Sequence, residues 1–175
     1  MDHFLSTERI RLRALEPEDL DCLYRWENDD ALWAYGSTLT PFSKFMLRQY
    51  IENSSQDLFE AKQLRLILVE TATNTAIGTI DLYDFDPFHL RAGIGILIDS
   101  EHQHQGFGSE ALELIKRYAF NFLKLNQLYA FIPSMNIASQ QLFRHGGFSE
   151  SGLLRKWNKV PEGLDDVSVY QCFPS

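Results

Sequence analysis

A nine-residue stretch past the middle of the chain has the residue types that bind phosphate. It runs from Gln103 to Ala111 (QHQGFGSEA), after an apolar run from Ile94 to Ile98. The apolar run is typical of a buried strand, and the periodic apolar residues that follow the stretch predict a helix. The first amides of a helix lack intrahelical partners and carry partial positive charge, and Gly106 and Gly108 leave room for a close approach. The stretch predicts a pyrophosphate bound by main-chain amides rather than by a lysine.

Two common phosphate motifs fit this stretch less well than a third. A P-loop needs Gly-Lys-Ser/Thr, whereas Gly108 is followed by serine and glutamate. A dinucleotide fingerprint tolerates Ala111 as its third glycine, but it belongs to an early strand–turn–helix unit. The stretch resembles motif A of the GNAT superfamily of N-acetyltransferases, Gln/Arg-x-x-Gly-x-Gly/Ala, with Gln103, Gly106 and Gly108 in the fixed positions. The structural alternative is an ordinary glycine turn before a core helix.

A second stretch, from Asn136 to Phe148 (NIASQQLFRHGGF), resembles motif B of the same superfamily. That motif is Asn-x-x-Ala/Ser, then an aromatic residue, then Gly-Phe. It follows the first motif after one predicted helix and one predicted strand, as in the family. Asn136 is suited to cap the short helix that follows it, and Gly146 and Gly147 are suited to end that helix. Two motifs in the family's order favour the family over capping chemistry alone.

The resemblance extends over nearly the whole chain. The opening segments Thr7–Arg13 and Glu16–Leu20 are similar to the branch that contains ribosomal-protein and spermidine acetyltransferases. The segments Ile80–Asp86 and Glu101–Gln103 look closest to the spermidine acetyltransferases. The resemblance implies an α/β GNAT fold in one domain over residues 1–175, with a mixed, mostly antiparallel sheet of about seven strands flanked by about four helices.

The resemblance also implies acetyl-CoA as the acetyl donor and direct attack by an amine. The donor would contact the end of the central strand, the glycine turn and the motif B helix. The residues at those positions are Ile96, Leu97, Ile98, Gln103, His104, Gln105, Gly106, Phe107, Gly108, Ser109, Asn136, Ser139 and Phe143.

Two residues that relatives use for chemistry are absent. The spermidine branch often carries glutamate where this chain has Gly93, and Gly95 shares that strand face, which predicts a wider and less acidic cleft. Phe143 occupies the position of the general-acid tyrosine of motif B, and we expect it to be a core aromatic against the cofactor. Ribosomal-protein acetyltransferases use a serine at the position of Ser139, so the resemblance implies Ser139 or water as the acid. The structural alternative for Ser139 is a helix-start hydroxyl bonded to nearby backbone.

Acidic and aromatic residues favour a cationic acceptor. Trp26 and Glu27, followed by Tyr35, suit an ammonium through charge and cation–π contact. Asp81 lies mid-strand and could hold the amine or relay a proton. The alternatives are a solvated helix end with core tryptophans, and a cross-strand partner for Asp81. The spermidine branch carries glutamates before the loop proline, where this chain has Leu39 and Thr40 before Pro41. Two other acceptors therefore compete with a polyamine: the N-terminus of a ribosomal protein and an amino sugar. A non-catalytic CoA-binding protein also stays open.

Composition narrows the partners of this 175-residue chain. Its net charge of −8 disfavours nucleic acid and mildly favours a cationic acceptor. No apolar run reaches the roughly 20 residues of a membrane-spanning helix, and the start of the chain lacks a signal-peptide pattern. Two cysteines imply no disulfide framework, so a cytoplasmic location is expected. His102 and His104 lie inside the phosphate turn without further ligands, so no metal is expected. A homo-oligomer stays open.

These residues need a sheet and helices to bring them together. Period-2 and period-3.6 patterns predict an order of elements in which strands flank each helix in the second half. Strands are predicted at Ile10–Ala14, Leu64–Glu70, Ala76–Phe85, Ala92–Asp99, Leu128–Ile132, Phe148–Trp157 and Asp166–Phe173, and helices at Pro17–Asn28, from Ser43, at Ala111–Phe122 and after Asn136.

Overall fold

The structure, a computed structural model, describes residues 2–33, 39–54 and 57–175. Seven strands form one sheet in the order β1-β2-β3-β4-β5-β7-β6, in which β4 and β5 are parallel and the other neighbouring pairs are antiparallel. The prediction of a mixed, mostly antiparallel sheet of about seven strands is confirmed. The strands are β1 (Ile10–Ala14), β2 (Leu64–Glu70), β3 (Thr75–Asp86), β4 (Arg91–Ile98), β5 (Gln127–Pro133), β6 (Ser149–Val160) and β7 (Gly163–Cys172).

Helices lie on both faces of the sheet. Of those described, α2, α4, α6 and α7 have eight residues or more, which agrees with the predicted four. The predicted first helix is divided, because a 3-10 turn at Pro17–Asp19 precedes α2. Another 3-10 turn spans Ser100–His102, and a π turn at Tyr118–Phe122 extends α6. The α-helices are α1 (Asp2–Leu5), α2 (Leu20–Glu27), α3 (Asp30–Trp33), α4 (Lys44–Asn53), α5 (Leu58–Ala61), α6 (Phe107–Arg117) and α7 (Ile137–His145).

Strand alternation divides the core into two clusters. Side chains such as Ile80, Ile94 and Leu128 point to the face covered by α6 and α7. Ile67 and Val69 point to the opposite face, which α2 and α4 cover. Full burial of one such side chain stabilises the fold by about 1.5–3 kcal/mol. The sheet is therefore held rigidly from both sides, and the residues on its two faces can be assigned from the register.

The β4–β5 pairing is short, and this opens the sheet. The parallel register runs Arg91↔Gln127, Ala92↔Leu128 and Gly93↔Tyr129 and then stops. Beyond Gly93 the strands diverge, and the β5-facing edge of β4 from Ile94 to Ile98 has no strand partner in the described ranges. Both α6 and α7 begin at the wide end of this gap. The gap therefore brings a free strand edge and two helix N-termini to one place.

A buried carboxylate ties α2 to the end of β4. Asp99 accepts hydrogen bonds from Trp26 Nε1 at 2.9 Å and from Arg25 Nη2 at 2.5 Å. Burial raises the pKa of Asp99, but these hydrogen bonds outweigh it, so the pKa lies below its usual range. Trp26 is consequently a core residue, with 5 % of its surface exposed.

The Asp99 contacts predict a pH-dependent loss of stability. Asp99→Asn should lower the free energy of unfolding at pH 7 by about 1–3 kcal/mol, because two charge-assisted hydrogen bonds weaken. The folded-state pKa lies below the unfolded value of about 3.9, so the stabilisation is present above that pH and is lost as pH falls through the folded pKa. Urea unfolding at pH 7 and pH 3 measures this.

Asp21→Asn is the matched control, because the Asp21 side chain pairs with Lys44 but is 83 % exposed. Such an exposed pair is screened by solvent and contributes little to stability. Equal unfolding energies for the Asp99 and Asp21 variants at pH 7 would contradict the anchoring role of Asp99.

Candidate active site

A cleft of about 550 Å³ lies in the gap between the end of β4, the start of α6 and the start of α7. Every predicted donor-contacting residue except Gln105 and Phe143 lines it. The structure thus brings together the two sequence motifs, which lie about 30 residues apart. Four residues that the sequence did not indicate also line the cleft: Leu32, His102, Ala138 and Leu142.

The glycine turn presents amides to the cleft. Gly106 has a φ of 85°, a left-handed conformation that favours glycine, and it is the N-cap of α6. Its carbonyl accepts the first intrahelical hydrogen bond, from Glu110 N at 3.2 Å. The amides of residues 107–109 precede that bond and have no place in the helical pattern. The Gln103 side chain fixes the turn to the strand by donating to the Ile98 carbonyl at 3.0 Å. This arrangement fits a pyrophosphate.

Gly108 lies where the two motifs face each other. A Cβ added at Gly108 would meet Leu142 Cδ2 at 3.5 Å and Ile98 Cγ1 at 3.7 Å. One carbon therefore fits in ordinary contact, but a second layer of carbons would enter the cleft. The glycine keeps the floor of the cleft open between α6 and α7.

An arginine from the start of the chain completes the turn. Arg9 Nη2 donates to the Gln105 carbonyl at 2.9 Å, and its guanidinium carbon lies 4.6 Å from the centre of the Phe107 ring. Glu110 is its ion-pair partner at 3.2 Å. This contact explains why Gln105 does not line the cleft, since its carbonyl faces Arg9. Sequence reasoning missed Arg9, because 96 residues separate it from Gln105.

The start of α7 forms the opposite wall. Asn136 Oδ1 accepts from Ser139 N at 3.1 Å, which confirms the predicted cap, and Gly146 ends the helix as predicted. Ser139 is half-buried and lines the cleft. Phe143 is 2 % exposed and packs edge-on against Phe148, with ring centres 5.0 Å apart. It is a core aromatic, as the sequence indicated, but it does not line the cleft, and its contact with the cofactor stays a prediction.

The predicted acceptor carboxylates share one arginine. Arg65 binds Asp81 with Nε and Nη2, both at 2.8 Å, and binds Glu27 with Nη1 at 2.6 Å. Burial lowers the pKa of Arg65, but Asp81 and Glu27 outweigh it, so the pKa is raised and the group stays charged. Asp81 is therefore the cross-strand partner that was the structural alternative, in register with Arg65. Two carboxylates against one guanidinium leave an excess of one negative charge. Their part in acceptor binding stays a prediction, as does that of the core residue Trp26, and Tyr35 lies outside the described residues.

Aromatic rings cover the sheet beside this cluster. Tyr83 lies opposite Gly93 in the β3–β4 register, and a Cβ added at Gly93 would meet Tyr83 Cε2 at 2.2 Å. The widening expected from Gly93 is consequently absent there, because the tyrosine ring fills the space. The ring centre of Tyr83 lies 6.1 Å from that of Tyr129, which lies 5.5 Å from that of Phe131. Burial, with Tyr129 and Asp84, raises the pKa of Tyr83.

The described parts of the chain contain neither a group of metal-ligating side chains nor a membrane-spanning helix. There, no group of three or more His, Cys, Asp or Glu side chains is placed to hold a metal ion. Nor is any helix of those parts long and apolar enough to cross a membrane.

The fold and the cleft define an acetyltransferase. The family model described as "Acetyltransferase (GNAT) domain" matches residues 9–149. The chain belongs to this family, as the two motifs predict, and is an N-acetyltransferase.

Individual relatives are similar over most of their length. An uncharacterized N-acetyltransferase, p20 of Bacillus licheniformis, is 32 % identical, with 95 % of this chain and 93 % of that protein covered. Spermidine N(1)-acetyltransferase of Escherichia coli is 29 % identical over 85 % of this chain and 77 % of that protein. The Vibrio cholerae spermidine N-acetyltransferase, solved with CoA and spermine, shares the fold with a TM-score of 0.85, at 23 % identity over 95 % and 96 % of the two chains.

Proposed function

We propose that this protein, as one domain over residues 1–175, moves the acetyl group of acetyl-CoA to a primary amine of a small cationic molecule, a polyamine or diamine. The proposed class of acceptor rests on one observation, the cluster of Glu27, Asp81 and Arg65. Its excess negative charge lies on the sheet face that also holds the Tyr83–Tyr129–Phe131 rings. Carboxylates beside aromatic rings attract ammonium groups by charge and by cation–π contact. The spermidine relatives are consistent with this class of acceptor.

The cleft supplies the donor side. The amides of residues 107–109 would bind the pyrophosphate of acetyl-CoA, aided by the dipole of α6. The open edge of β4 at Ile96–Ile98 would pair with the amide groups of the pantetheine arm, as a further strand pairs with a sheet edge. Asn136 holds the first turn of α7, so that Ser139 faces the cleft.

Ser139 is proposed as the group that delivers a proton to the leaving thiolate. Acyl transfer from a thioester requires a neutral amine and a proton for the sulfur. Ser139 is the hydroxyl of motif B that lines the cleft, whereas Phe143 has no hydroxyl and is buried. The proton that the amine loses would return to Ser139 through solvent.

The acceptor proposal predicts a selective change in Michaelis constants. Glu27→Gln should raise the Michaelis constant for the amine about tenfold and leave that for acetyl-CoA within twofold, because it removes the excess negative charge while Arg65 keeps Asp81. Glu113→Gln is the control, since Glu113 is 61 % exposed and pairs with Lys116 on α6. Steady-state thiol release with each variant measures both constants.

The pH dependence should have a definite direction. Carboxylates near the bound ammonium raise the pKa of that ammonium, and only the neutral amine attacks. Turnover should therefore climb toward alkaline pH, and Glu27→Gln should shift the rise to lower pH. Equal profiles for the two proteins would remove Glu27 from the acceptor site.

An acceptor panel tests the function as a whole. Acetyl-CoA would be incubated with polyamines, amino sugars and peptides, and products would be read by mass spectrometry. Acetylated polyamine or diamine supports the proposal. Acetylation of only a peptide N-terminus or an amino sugar overturns the acceptor, and CoA binding without any acetylation indicates a non-catalytic protein.

A further inference from the structure

The cleft lacks the motif B phenol, but the opposite face of the sheet provides another. Tyr83 faces Gly93 across the β3–β4 register, and Gly93 pairs with Tyr129 in the last rung of the β4–β5 ladder. Tyr83 therefore lies at the narrow end of the gap, where the two strands separate. A donor whose pyrophosphate lies at the start of α6 and whose arm follows β4 would bring its thioester to this end.

The ring of Tyr83 is held flat against the strand. The position of a Cβ at Gly93 is 2.4 Å from Tyr83 Cζ, the carbon that bears the hydroxyl, and the corresponding position at Gly95 is 3.9 Å from Cε1. Any side chain at residue 93 would displace the ring. The backbone N–H of Phe131, two residues past the last rung on β5, acts on the phenol and lowers its pKa, although burial raises that pKa more. A phenolic hydroxyl can accept a hydrogen bond at its oxygen and still donate its own hydrogen.

We propose that the Tyr83 hydroxyl donates a hydrogen bond to the sulfur of CoA as the thioester bond breaks, and so supplies from β3 the phenol that Phe143 lacks. The inference rests on the proposed acetyl transfer and adds a second hydroxyl to it. Tyr83 approaches from the face covered by α2 and α4, whereas Ser139 approaches from the α7 side. The Gly93–Tyr83 pair acts as a unit, since glycine at 93 is what admits the ring.

The step balances without any further reactant. The amine nitrogen forms a bond to the carbonyl carbon, the carbon–sulfur bond breaks, and its electron pair stays on sulfur. Tyr83 stabilises this charge but keeps its proton, because the pKa of a phenol already exceeds that of a thiol and burial raises the pKa of Tyr83 further. The proton lost by the nitrogen reaches the sulfur by way of Ser139 and solvent. A hydrogen-bond donor that already points at the atom where negative charge develops lowers the barrier, because it does not have to reorganise during the reaction.

Binding of CoA and of desulfo-CoA, in which the sulfur is absent, tests the hydrogen bond without an acceptor. Calorimetric affinities would be measured for both between pH 7 and pH 9.5, because free thiols ionise near pH 8.5. In the wild type, the preference for CoA over desulfo-CoA should grow about tenfold across this range as the bound thiolate is stabilised. In Tyr83→Phe, which keeps the ring over Gly93, the growth should be lost.

Tyr118→Phe is the matched control, since Tyr118 is a half-buried tyrosine that stacks on Phe122 in the π turn, away from the cleft. It should behave as the wild type. The same growth of preference in wild type and Tyr83→Phe would overturn the assignment of Tyr83 to the sulfur.

Turnover gives the second readout. With the best amine of the panel, Tyr83→Phe should lower kcat about tenfold and leave the Michaelis constant for acetyl-CoA within twofold, with an unchanged melting temperature. An effect confined to the Michaelis constant for the amine would make Tyr83 an acceptor contact and overturn the proposal. If no amine is acetylated but the CoA preference still depends on Tyr83, the proposed function fails, whereas the contact between the Tyr83 hydroxyl and the CoA sulfur is supported.

Discussion

Gly108→Val is expected to weaken the binding of acetyl-CoA by about a hundredfold, a loss of about 2.7 kcal/mol. The Cβ alone reaches ordinary contact with Leu142 and Ile98. The two γ-methyl groups extend beyond that contact into the space where the pyrophosphate would approach the amides of residues 107–109. Calorimetry with acetyl-CoA measures the loss, and circular dichroism verifies that the variant is folded.

Two further variants serve as comparisons for Gly108→Val. Gly152→Val on β6 adds the same side chain where nothing lies within 4 Å of the new Cβ, so it should bind acetyl-CoA as the wild type does. Gly108→Ala adds one carbon that fits and should cause a smaller loss. Unchanged affinity in a folded Gly108→Val protein would mean that the phosphate does not lie on this turn.

Ser139→Ala is expected to lower kcat more than tenfold, which corresponds to about 1.4 kcal/mol or more in the barrier. The reason is that Ser139 lines the cleft from the first turn of α7, where we propose that its hydroxyl serves the leaving sulfur. Phe143→Tyr should keep kcat within a few-fold of wild type or raise it, because position 143 is not the source of the proton in this chain. Thiol release at saturating acetyl-CoA measures both.

Ser151→Ala serves as the control for Ser139→Ala. Ser151 is an exposed serine on β6 whose hydroxyl donates to the Val169 carbonyl at 3.2 Å, so its loss should leave kcat unchanged. Full activity in Ser139→Ala would remove the serine from the mechanism and leave water and Tyr83 as the groups that serve the thiolate.

The sequence by itself determined the family, the fold class and most of the residues that line the cleft. Each of these depends on short segments, because a helix cap or a glycine turn is built from residues a few positions apart. Asn136 caps α7 and Gly106 begins α6 from local geometry that the residue types predict. The strands were found from their alternation, which needs only the period of the side chains.

Tertiary structure alone decided what the site residues contact. Arg65 donates hydrogen bonds to Glu27 and to Asp81, which lie 38 and 16 residues away in the chain. Tyr83 fills the space beside Gly93. Neither contact follows from a local pattern, because strand register and the placement of α2 on the sheet bring these side chains together. A side chain's charge and size are read from the sequence, but its partner depends on which chain segments pack beside it.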